Sequence, residues 1–197
     1  MLFRSKTSMD PGSSESRLFA QPASPRDWSA DGRWLAYEQS GDLLVGPASG
    51  SVEPFAFLAT PAIESFPRFS PDSKWIVYSS NESGGPEVYM RPFAGEPAGP
   101  TGKIRISHDS GQYGFWAPSG REIFYLSANG SVFSIDTRNL GRGEGLPAAV
   151  RLFRACPTTE LAEGVPALDT RDGQRFLVLC RTEPPGRFTV LMNWTLP

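Results

Sequence analysis

Hydrophobic and polar positions along the chain follow a pattern that returns four times. Each copy has an apolar or aromatic residue, a serine or other small residue, a two-residue turn, and a short apolar run that ends near a tyrosine. The copies span residues 28–37, 69–78 and 116–125, and a less regular fourth copy spans 169–178. Their turns at positions 31, 72, 119 and 172 give periods of 41, 47 and 53 residues. Propeller blades repeat at about 40–50 residues, so this spacing predicts a propeller.

Each repeat predicts a four-stranded antiparallel meander. The pairs Asp31-Gly32 and Asn129-Gly130 predict tight hairpin turns, because glycine accepts a positive φ. The strand after the first turn of each repeat is rich in β-branched and aromatic residues. Third strands are expected at 43–45, 87–90, 131–135 and 188–194, and outer fourth strands at 55–58, 103–106 and 150–153. No stretch shows a capped helical period longer than a turn or two.

The second strands of the repeats favour one sheet architecture. They are apolar for three or four residues in succession, at 34–37, 75–78, 123–126 and 176–179. A sheet with one solvated face alternates apolar and polar residues, so these strands need cover on both faces. The blades of a propeller provide that cover, since each blade lies between two neighbours. A β-sandwich is the alternative, but it gives no reason for the repeat. We therefore expect an all-β fold, a β-propeller of four-stranded antiparallel blades.

Composition and charge narrow the class of protein. The 20 glycines and 19 prolines are about a fifth of the 197 residues, which argues against a helix bundle. The 39% hydrophobic and 12% aromatic content is enough for a packed core. The net charge of −2 argues against a nucleic-acid or anionic-membrane surface. The longest apolar stretches, such as 176–180, are far shorter than a bilayer span of about 20 residues, and the first residues lack the apolar core of a signal peptide.

Residues 66–80, continued by 87–93, resemble the TolB-type WD40-like propeller repeat. That repeat has a Ser-Pro-Asp-Gly turn, an apolar strand ending in Tyr or Phe, and a strand reading Glu-Ile/Val-Tyr, which here is Glu87-Val88-Tyr89. Residues 172–178 and 189–195 are similar to the last blade and closing strand of the C-terminal propeller region of bacterial membrane-anchored serine/threonine protein kinases. Three turn positions depart from the family and are expected to weaken individual turns: Ser73, Ala117 and Ser119.

The resemblance implies a ring that this chain does not fill. Family propellers have six or more blades, whereas 197 residues hold about four at the repeat length of about 45 residues. We expect blades at 21–60, 61–108, 109–155 and 156–197, preceded in 1–20 by the end strands of an earlier blade, at 2–5 and 17–20. In the last blade, strands are expected at 165–170, 174–181 and 188–194, with no clear fourth strand. An open arc of about four blades follows.

A search for chemistry predicts no catalytic, cofactor or metal site. His108-Asp109 lacks the Gly-x-Ser-x-Gly elbow that a serine triad would need, so it is expected in a loop. The run 141–145 lacks the strand and helix that flank a phosphate-binding loop. Kinase motifs are also absent from the chain. Five aspartates could be calcium ligands, but they lie in separate turns, so a role in forming those turns is the favoured interpretation. They are Asp31, Asp72, Asp136, Asp169 and Asp172.

Cysteines and tryptophans are expected to be structural. Cys156 and Cys180 replace ordinary strand positions, so buried free thiols are favoured, with a disulfide as the alternative if the protein is exported. Four tryptophans recur at matching places in the repeats and are expected in the core: Trp28, Trp34, Trp75 and Trp116.

Binding is expected at a channel mouth, where the loops that enter the innermost strands meet. Those loops are expected to carry Arg26, Glu64, Arg68, Gln112 and Tyr113. The alternative is that these are ordinary solvated loop residues. The resulting hypothesis is a non-enzymatic module that binds a protein or peptide, belongs to a larger bacterial protein, and associates with itself through its open end blades. Neither nucleic-acid binding nor membrane insertion by this chain is expected.

The competing hypothesis is an accessory propeller of an enzyme. It is either the sensor of a membrane-anchored serine/threonine kinase or the gating propeller of a serine peptidase. An upstream membrane anchor would place the chain in the periplasm or outside the cytoplasm, and otherwise it is expected in the cytoplasm.

Overall fold

The computed structural model describes residues 5–6, 16–17, 23–50, 52–108, 110–141, 145–155, 168–178 and 189–191. All regular structure in these residues is β. The strands are β1 (Ser5–Lys6), β2 (Ser16–Arg17), β3 (Ser24–Trp28), β4 (Trp34–Gln39), β5 (Asp42–Pro47), β6 (Phe55–Leu58), β7 (Glu64–Phe69), β8 (Trp75–Ser80), β9 (Glu87–Pro92), β10 (Ile104–Arg105), β11 (Gly111–Trp116), β12 (Glu122–Ser127), β13 (Ser131–Asp136), β14 (Val150–Arg154), β15 (Leu168–Thr170), β16 (Phe176–Val178) and β17 (Thr189–Leu191).

The strands form separate antiparallel sheets in which spatial order follows chain order. Blade 1 is β3-β4-β5-β6, blade 2 is β7-β8-β9-β10, blade 3 is β11-β12-β13-β14, and blade 4 is the three-stranded β15-β16-β17. The short strands β1 and β2 pair with each other ahead of blade 1. This is the predicted meander architecture, an incomplete β-propeller. The rest of the strands predicted at 2–5, 17–20, 165–170, 174–181 and 188–194 lies outside the described residues, except for 174–175, which form a bend and not a strand. Cys156 and Cys180 also lie outside the described residues.

Serine hydroxyls cap the turns between the first and second strands in blades 1 and 2. In blade 2 the Ser70 hydroxyl donates to Asp72 Oδ1 at 2.5 Å and accepts the N–H of Trp75 at 3.0 Å. Gly32 in this turn of blade 1 and Gly130 in the turn between β12 and β13 have φ of 73° and 79°, which confirms the predicted positive φ. Ser73, which replaces the usual glycine, also has a positive φ, of 57°. The departure therefore leaves the turn formed, at the conformational cost of a side chain in the left-handed region.

The apolar second strands of blades 2 and 3 are buried on both faces, as predicted, whereas Leu177 in the second strand of blade 4 is 51% exposed. Ile76 and Tyr78 of β8 pack in one cluster with Leu43 of blade 1. Val77, between them in sequence, packs in a second cluster with Ile123 of blade 3. Successive side chains of a strand point to opposite faces, so one apolar run supplies both inter-blade cores. This is the physical reason that the run does not alternate.

One core assignment is wrong. Trp116 is buried and Trp34 and Trp75 are partly buried, but Trp28 is 52% exposed. Trp28 ends β3 in the first complete blade, where the described residues place no neighbouring blade against it. A position that is covered in later blades is therefore open in this one.

Candidate functional site

The first strands of the blades form the inner wall of the arc, since β3 contacts β7 and β7 contacts β11. The five predicted binding residues lie in these strands and not in the loops that enter them. Arg26 is in β3, Glu64 and Arg68 are in β7, and Gln112 and Tyr113 are in β11. The loops are shorter than expected because pairing with the second strand extends back to Glu64–Ser80 and Gly111–Ser127.

A β-bulge interrupts each complete inner strand at the matching position. The register shifts between Pro25 and Asp27, between Ser65 and Arg68, and between Gln112 and Phe115. Two bulky residues in these bulges, Phe66 and Tyr113, have φ of 54° and 55°. Such a conformation is costly for a bulky side chain and persists only where neighbours hold it.

The neighbours that hold the bulges come from the preceding blade. The Phe66 N–H donates to the Glu38 carboxylate, and the Tyr113 N–H donates to Ser79 Oγ at 3.2 Å. Glu38 and Ser79 are the fifth residues of β4 and β8, so the same strand position makes the same cross-blade bond.

Arg26 adds to the cross-blade packing at this end. Its guanidinium pairs with Glu38 at 2.7 Å and lies 4.9 Å from the centre of the Phe66 ring. The Phe66 and Tyr113 rings are 4.4 Å apart. The amino-terminal end of the inner wall is thus filled by side chains that join the blades.

Glu64 is also buried in the interior. Its side chain is 2% exposed and accepts a hydrogen bond from the Thr60 hydroxyl, while Oε2 has no hydrogen-bond partner among the described residues. Burial raises the pKa of this carboxyl, and repulsion from Asp42 and Glu82 adds to the rise. Gln112 is partly buried and pairs with Leu126 in the sheet. Of the five predicted residues, Arg68 alone lines a described cavity at the inner wall.

That cavity, the central cleft, has a volume of about 280 Å³ and lies at the carboxyl-terminal ends of the inner strands. Matching positions of the first three blades contribute Asp27, Arg68 and Phe115. The next position contributes one residue from every blade: Trp28, Phe69, Trp116 and Asp169. Pro71 and Pro118, from the turns that follow, stand at its rim and are exposed. The cleft is therefore a composite of the whole arc.

Among the described residues that line the cleft, the ionisable ones are two aspartates and one arginine. Asp27 Oδ2 accepts the Phe69 N–H at 2.7 Å, and Oδ1 lies 3.5 Å from Arg68 Nη1. Burial raises the pKa of Asp27, although that N–H and Arg68 partly offset the effect. Asp169 is exposed, and its Oδ1 accepts the Thr170 N–H at 2.8 Å. Asp169 borders the cleft, but its pairing with Leu177 places its side chain on the face of blade 4 that is turned away from blade 3.

Aromatic side chains supply the apolar wall. Trp28 presents half of its surface, whereas Trp116 is 8% exposed. The Trp116 indole N–H is buried and has no hydrogen-bond partner among the described residues. An exposed aromatic surface beside carboxylates suits a ligand with an apolar or cationic side chain.

Sequence reasoning missed Asp27, Trp28, Trp116 and Asp169. The available signal was their position directly before the small residue that opens each turn. Alignment of the repeats places them at one end of the inner strands, but the recurrence of tryptophan there was interpreted as core packing.

The other candidate metal-ligating and catalytic side chains lie apart from one another. Among the described residues, no three His, Cys, Asp or Glu side chains are grouped so as to hold a metal ion. Asp31, Asp136 and Asp172 each bond within their own turn, to Arg33, Arg138 and Arg175. His108 is exposed at a bend after β10, while Asp109 and residues 142–144 lie outside the described residues. None of the described residues forms a helix with the length and apolarity of a membrane span.

No protein-family model matches the chain. The chain is similar to Tricorn protease homolog 1 of Streptomyces coelicolor, with 26% identity over 170 residues, which is 85% of this chain and 14% of the relative. TolB from Acinetobacter baumannii aligns in structure with 94% of the chain at a TM-score of 0.62 and 17% identity, and 44% of TolB is covered. The β-propeller domain of Cps50 (Swd1) from Myceliophteria thermophila aligns with 85% of the chain at a TM-score of 0.52 and 15% identity, and 52% of that chain is covered.

These likenesses show a TolB-like β-propeller fold. The chain spans less than two thirds of the length of each relative named above. The narrower resemblance to the C-terminal region of serine/threonine kinases stays a prediction.

Proposed function

We propose that this TolB-like propeller region is a non-catalytic module that binds a protein or peptide partner in the central cleft. The observation that carries the proposal is the composite origin of the cleft, to which matching strand positions of four blades contribute. Propeller blades are rigid, so a surface assembled from several of them presents a fixed arrangement of side chains to a partner.

The state of the polar groups supports a binding role. The Ser70 hydroxyl is engaged by Asp72 and by the Trp75 N–H, and Asp27 is engaged by the Phe69 N–H. A nucleophile needs a base and a free path to substrate, and although Asp72 is a base within reach, Ser70 is buried and its oxygen already accepts two backbone N–H groups of the turn. We therefore expect the purified chain to show no turnover of peptide or nucleotide substrates above a protein-free control. Turnover that survives repurification and that control would contradict the proposal.

Peptide selection tests the binding role. A displayed library of random peptides is selected against the purified chain, and the enriched peptides are measured against variants. Trp28→Ala and Arg68→Ala should weaken binding, because both side chains line the cleft. Val150→Ala and Arg151→Ala are the matched controls, since both residues are exposed on the outer strand β14. No enrichment, or binding that responds to the controls and not to the cleft variants, would overturn the proposal.

A second candidate is an accessory propeller of a serine peptidase, and the match to Tricorn protease homolog 1 favours it. The kinase-sensor alternative rests on the C-terminal sequence resemblance alone. The gene that encodes the chain discriminates between them. A peptidase domain in the same reading frame supports the first, and a kinase domain with a transmembrane segment supports the second. Neither outcome changes the expected binding by the cleft.

A further inference from the structure

We infer that a second cavity, between blades 2 and 3, receives an aromatic side chain of the bound partner. This cavity, the seam pocket, has a volume of about 240 Å³, and its walls include Pro71 and Trp75 of blade 2 and Trp116, Thr137 and Leu140 of blade 3. The inference rests on the proposed function, because the seam pocket adjoins the central cleft and shares Pro71 and Trp116 with it.

The seam between blades 1 and 2 contains an aromatic side chain at the corresponding place. There the ring of Phe93 packs edge-on against Trp34 and Phe69, with ring centroids 5.5 Å and 5.2 Å away. Phe93 is 6% exposed, so its ring is enclosed by the two blades. The chain itself therefore provides a reference for the kind of group that this part of a seam accommodates.

Backbone hydrogen bonds identify the residue that matches Phe93 in the next blade. Phe93 directly follows β9, and its N–H donates to the carbonyl of Lys74. Thr137 directly follows β13, and its N–H donates to the carbonyl of Arg121. Lys74 and Arg121 each stand directly before the second strand of their blade, so Thr137 occupies the position of Phe93.

The other two members of the aromatic group are large in both seams. Trp75 begins β8 as Trp34 begins β4, and Trp116 ends β11 as Phe69 ends β7. The seam between blades 2 and 3 thus keeps two aromatic walls, while the small side chain of Thr137 replaces the ring between them. A protein cavity of about 150 Å³ is enough to hold benzene. The seam pocket, at about 240 Å³, therefore accommodates one aromatic side chain.

The indole of Trp116 is an independent observation. Trp116 pairs with Ile123 and packs in one cluster with Val77 of blade 2, so its side chain points into the seam between blades 2 and 3. It is 8% exposed, and its indole N–H is buried with no hydrogen-bond acceptor among the described residues. Such a donor is costly unless an acceptor reaches it. A ligand can supply one, as the hydroxyl of a tyrosine ring or as a carbonyl of the peptide backbone.

The mouth of the pocket favours a neutral side chain. Pro71 and Ser119 are exposed there, so a partner can reach the pocket from solvent. The Thr137 hydroxyl is engaged, since it donates to the Gly120 carbonyl at 2.9 Å. Asp72 is the charged residue among the described residues that line the pocket, and its carboxylate disfavours an acidic ligand.

Short capped peptides test the inference on the chain in solution. The probes are acetyl-Gly-Tyr-Gly-amide and acetyl-Gly-Phe-Gly-amide, with acetyl-Gly-Ala-Gly-amide as the control that lacks a ring. Binding is followed by nuclear magnetic resonance through the indole N–H signal of Trp116 in the isotope-labelled chain, which is assigned by its loss in Trp116→Phe. Intermolecular Overhauser contacts then locate the ring of the bound probe.

At least one aromatic probe should bind about tenfold more tightly than the alanine probe, because burial of the ring removes apolar surface from water. Its ring protons should show Overhauser contacts to the indoles of Trp75 and Trp116. Tighter binding of the tyrosine probe would identify the ring hydroxyl as the acceptor of the Trp116 N–H. Binding no tighter than that of the phenylalanine probe would identify the backbone carbonyl.

Thr137→Phe is the decisive variant, because it places in this seam the side chain that occupies the preceding one. It should abolish binding of the aromatic probes, and circular dichroism checks that the variant is folded. Thr101→Phe is the matched control, since Thr101 is exposed between β9 and β10 and outside the pocket, and it should bind as the parent does. If Thr137→Phe does not fold, the Overhauser contacts in the parent chain decide.

Three outcomes would overturn the inference. Equal binding of the alanine and aromatic probes would show that no ring is recognised. Undiminished binding to folded Thr137→Phe would place the ring elsewhere, as would Overhauser contacts to neither Trp75 nor Trp116. A peptide library without aromatic residues separates this failure from failure of the proposed function. Peptides from it whose binding depends on Trp28 and Arg68 would leave the proposed function standing.

Discussion

At the scale of the residue, burial of ionisable and strained groups distinguishes structural from surface roles. Glu64 and Asp27 are carboxylates whose pKa is raised by burial, so each is costly to ionise in the folded protein. Gly130 has a φ of 79°, which other residues adopt with strain. The burial of Glu64 and the backbone conformation of Gly130 each lead to a prediction.

Replacing Glu64 with glutamine should stabilise the fold at neutral pH. The pKa of Glu64 is raised above 4.5, so the folded state retains a proton that the unfolded state has lost, and the free energy of unfolding falls as pH rises through that window. Glutamine keeps an acceptor for the Thr60 hydroxyl and carries no charge. The gain in unfolding free energy over the parent should therefore shrink as pH is lowered towards 4.5. Denaturant titrations at several pH values measure it, with exposed Glu96→Gln as the control; a gain that is independent of pH would contradict the argument.

Replacing Gly130 with valine should cost about 1 kcal/mol or more, because a β-branched residue at a positive φ is strained. The matched control is Gly85→Val. A side chain at Gly85 would meet open space, and the backbone there has no positive φ. Equilibrium unfolding in urea gives both losses. Equal destabilisation by the two variants would show that the backbone conformation at Gly130 is not the cause.

At the scale of the element, repeated hydrogen bonds shape each blade. Serine caps the turn between the first two strands in blades 1 and 2, through Ser29 and Ser70, whereas blade 3 has Ala117 at that position. The bulges in the inner strands are held from the preceding blade by Glu38 and Ser79. Turn and bulge together set where the inner strand ends and therefore where the cleft opens.

Ser70→Ala should lower the unfolding free energy by about 1–2 kcal/mol. The change removes the acceptor for the Trp75 N–H and the donor to Asp72, two bonds at a partly buried turn. Ser83→Ala is the control, since Ser83 lies exposed in another turn. Thermal unfolding followed by circular dichroism compares the two. If the Ser70 variant melts with the Ser83 variant, the serine cap is dispensable in blade 2, as it is in blade 3.

At the scale of the whole molecule, the described sheets form an arc whose last face exposes a leucine side chain. Phe176 of β16 packs against Phe124 and Phe153 of blade 3. Leu177, the next residue, points to the opposite face and is 51% exposed. In a propeller that face is covered by a further blade, and propellers protect their edges by such repetition.

The isolated chain should associate through its end blades and be marginally stable. Exposed apolar sheet surface favours contact with another copy. Size-exclusion chromatography with light scattering should show a mass that grows with concentration, and Leu177→Lys should reduce it. Val52→Lys is the control, since Val52 is exposed outside the strands. A monodisperse monomer with a sharp, reversible melt would show that the ring closes and that the predicted number of missing blades is wrong.

Turns, strand order and core could be predicted from the sequence by itself. Positive φ at Gly32 and Gly130 follows from local sterics, and the unbroken apolar runs such as 75–78 follow from cover on both sheet faces. These features depend on residues close together in the chain, or on a repeat that any blade obeys, so the sequence determined the incomplete propeller.

Which end of the inner wall opens depends on contacts between blades that are distant in the sequence. Cross-blade bonds and packing engage Arg26 and Tyr113 at the end of the inner wall where they lie, and their predicted role in binding a partner stays a prediction. Trp28 was predicted to be buried, but it is half exposed, because the described residues place no blade against it. These arrangements depend on contacts between blades about 40 residues apart in sequence. A side chain at a repeated position becomes core or surface according to whether a neighbouring blade lies against it, and no local pattern carries that information.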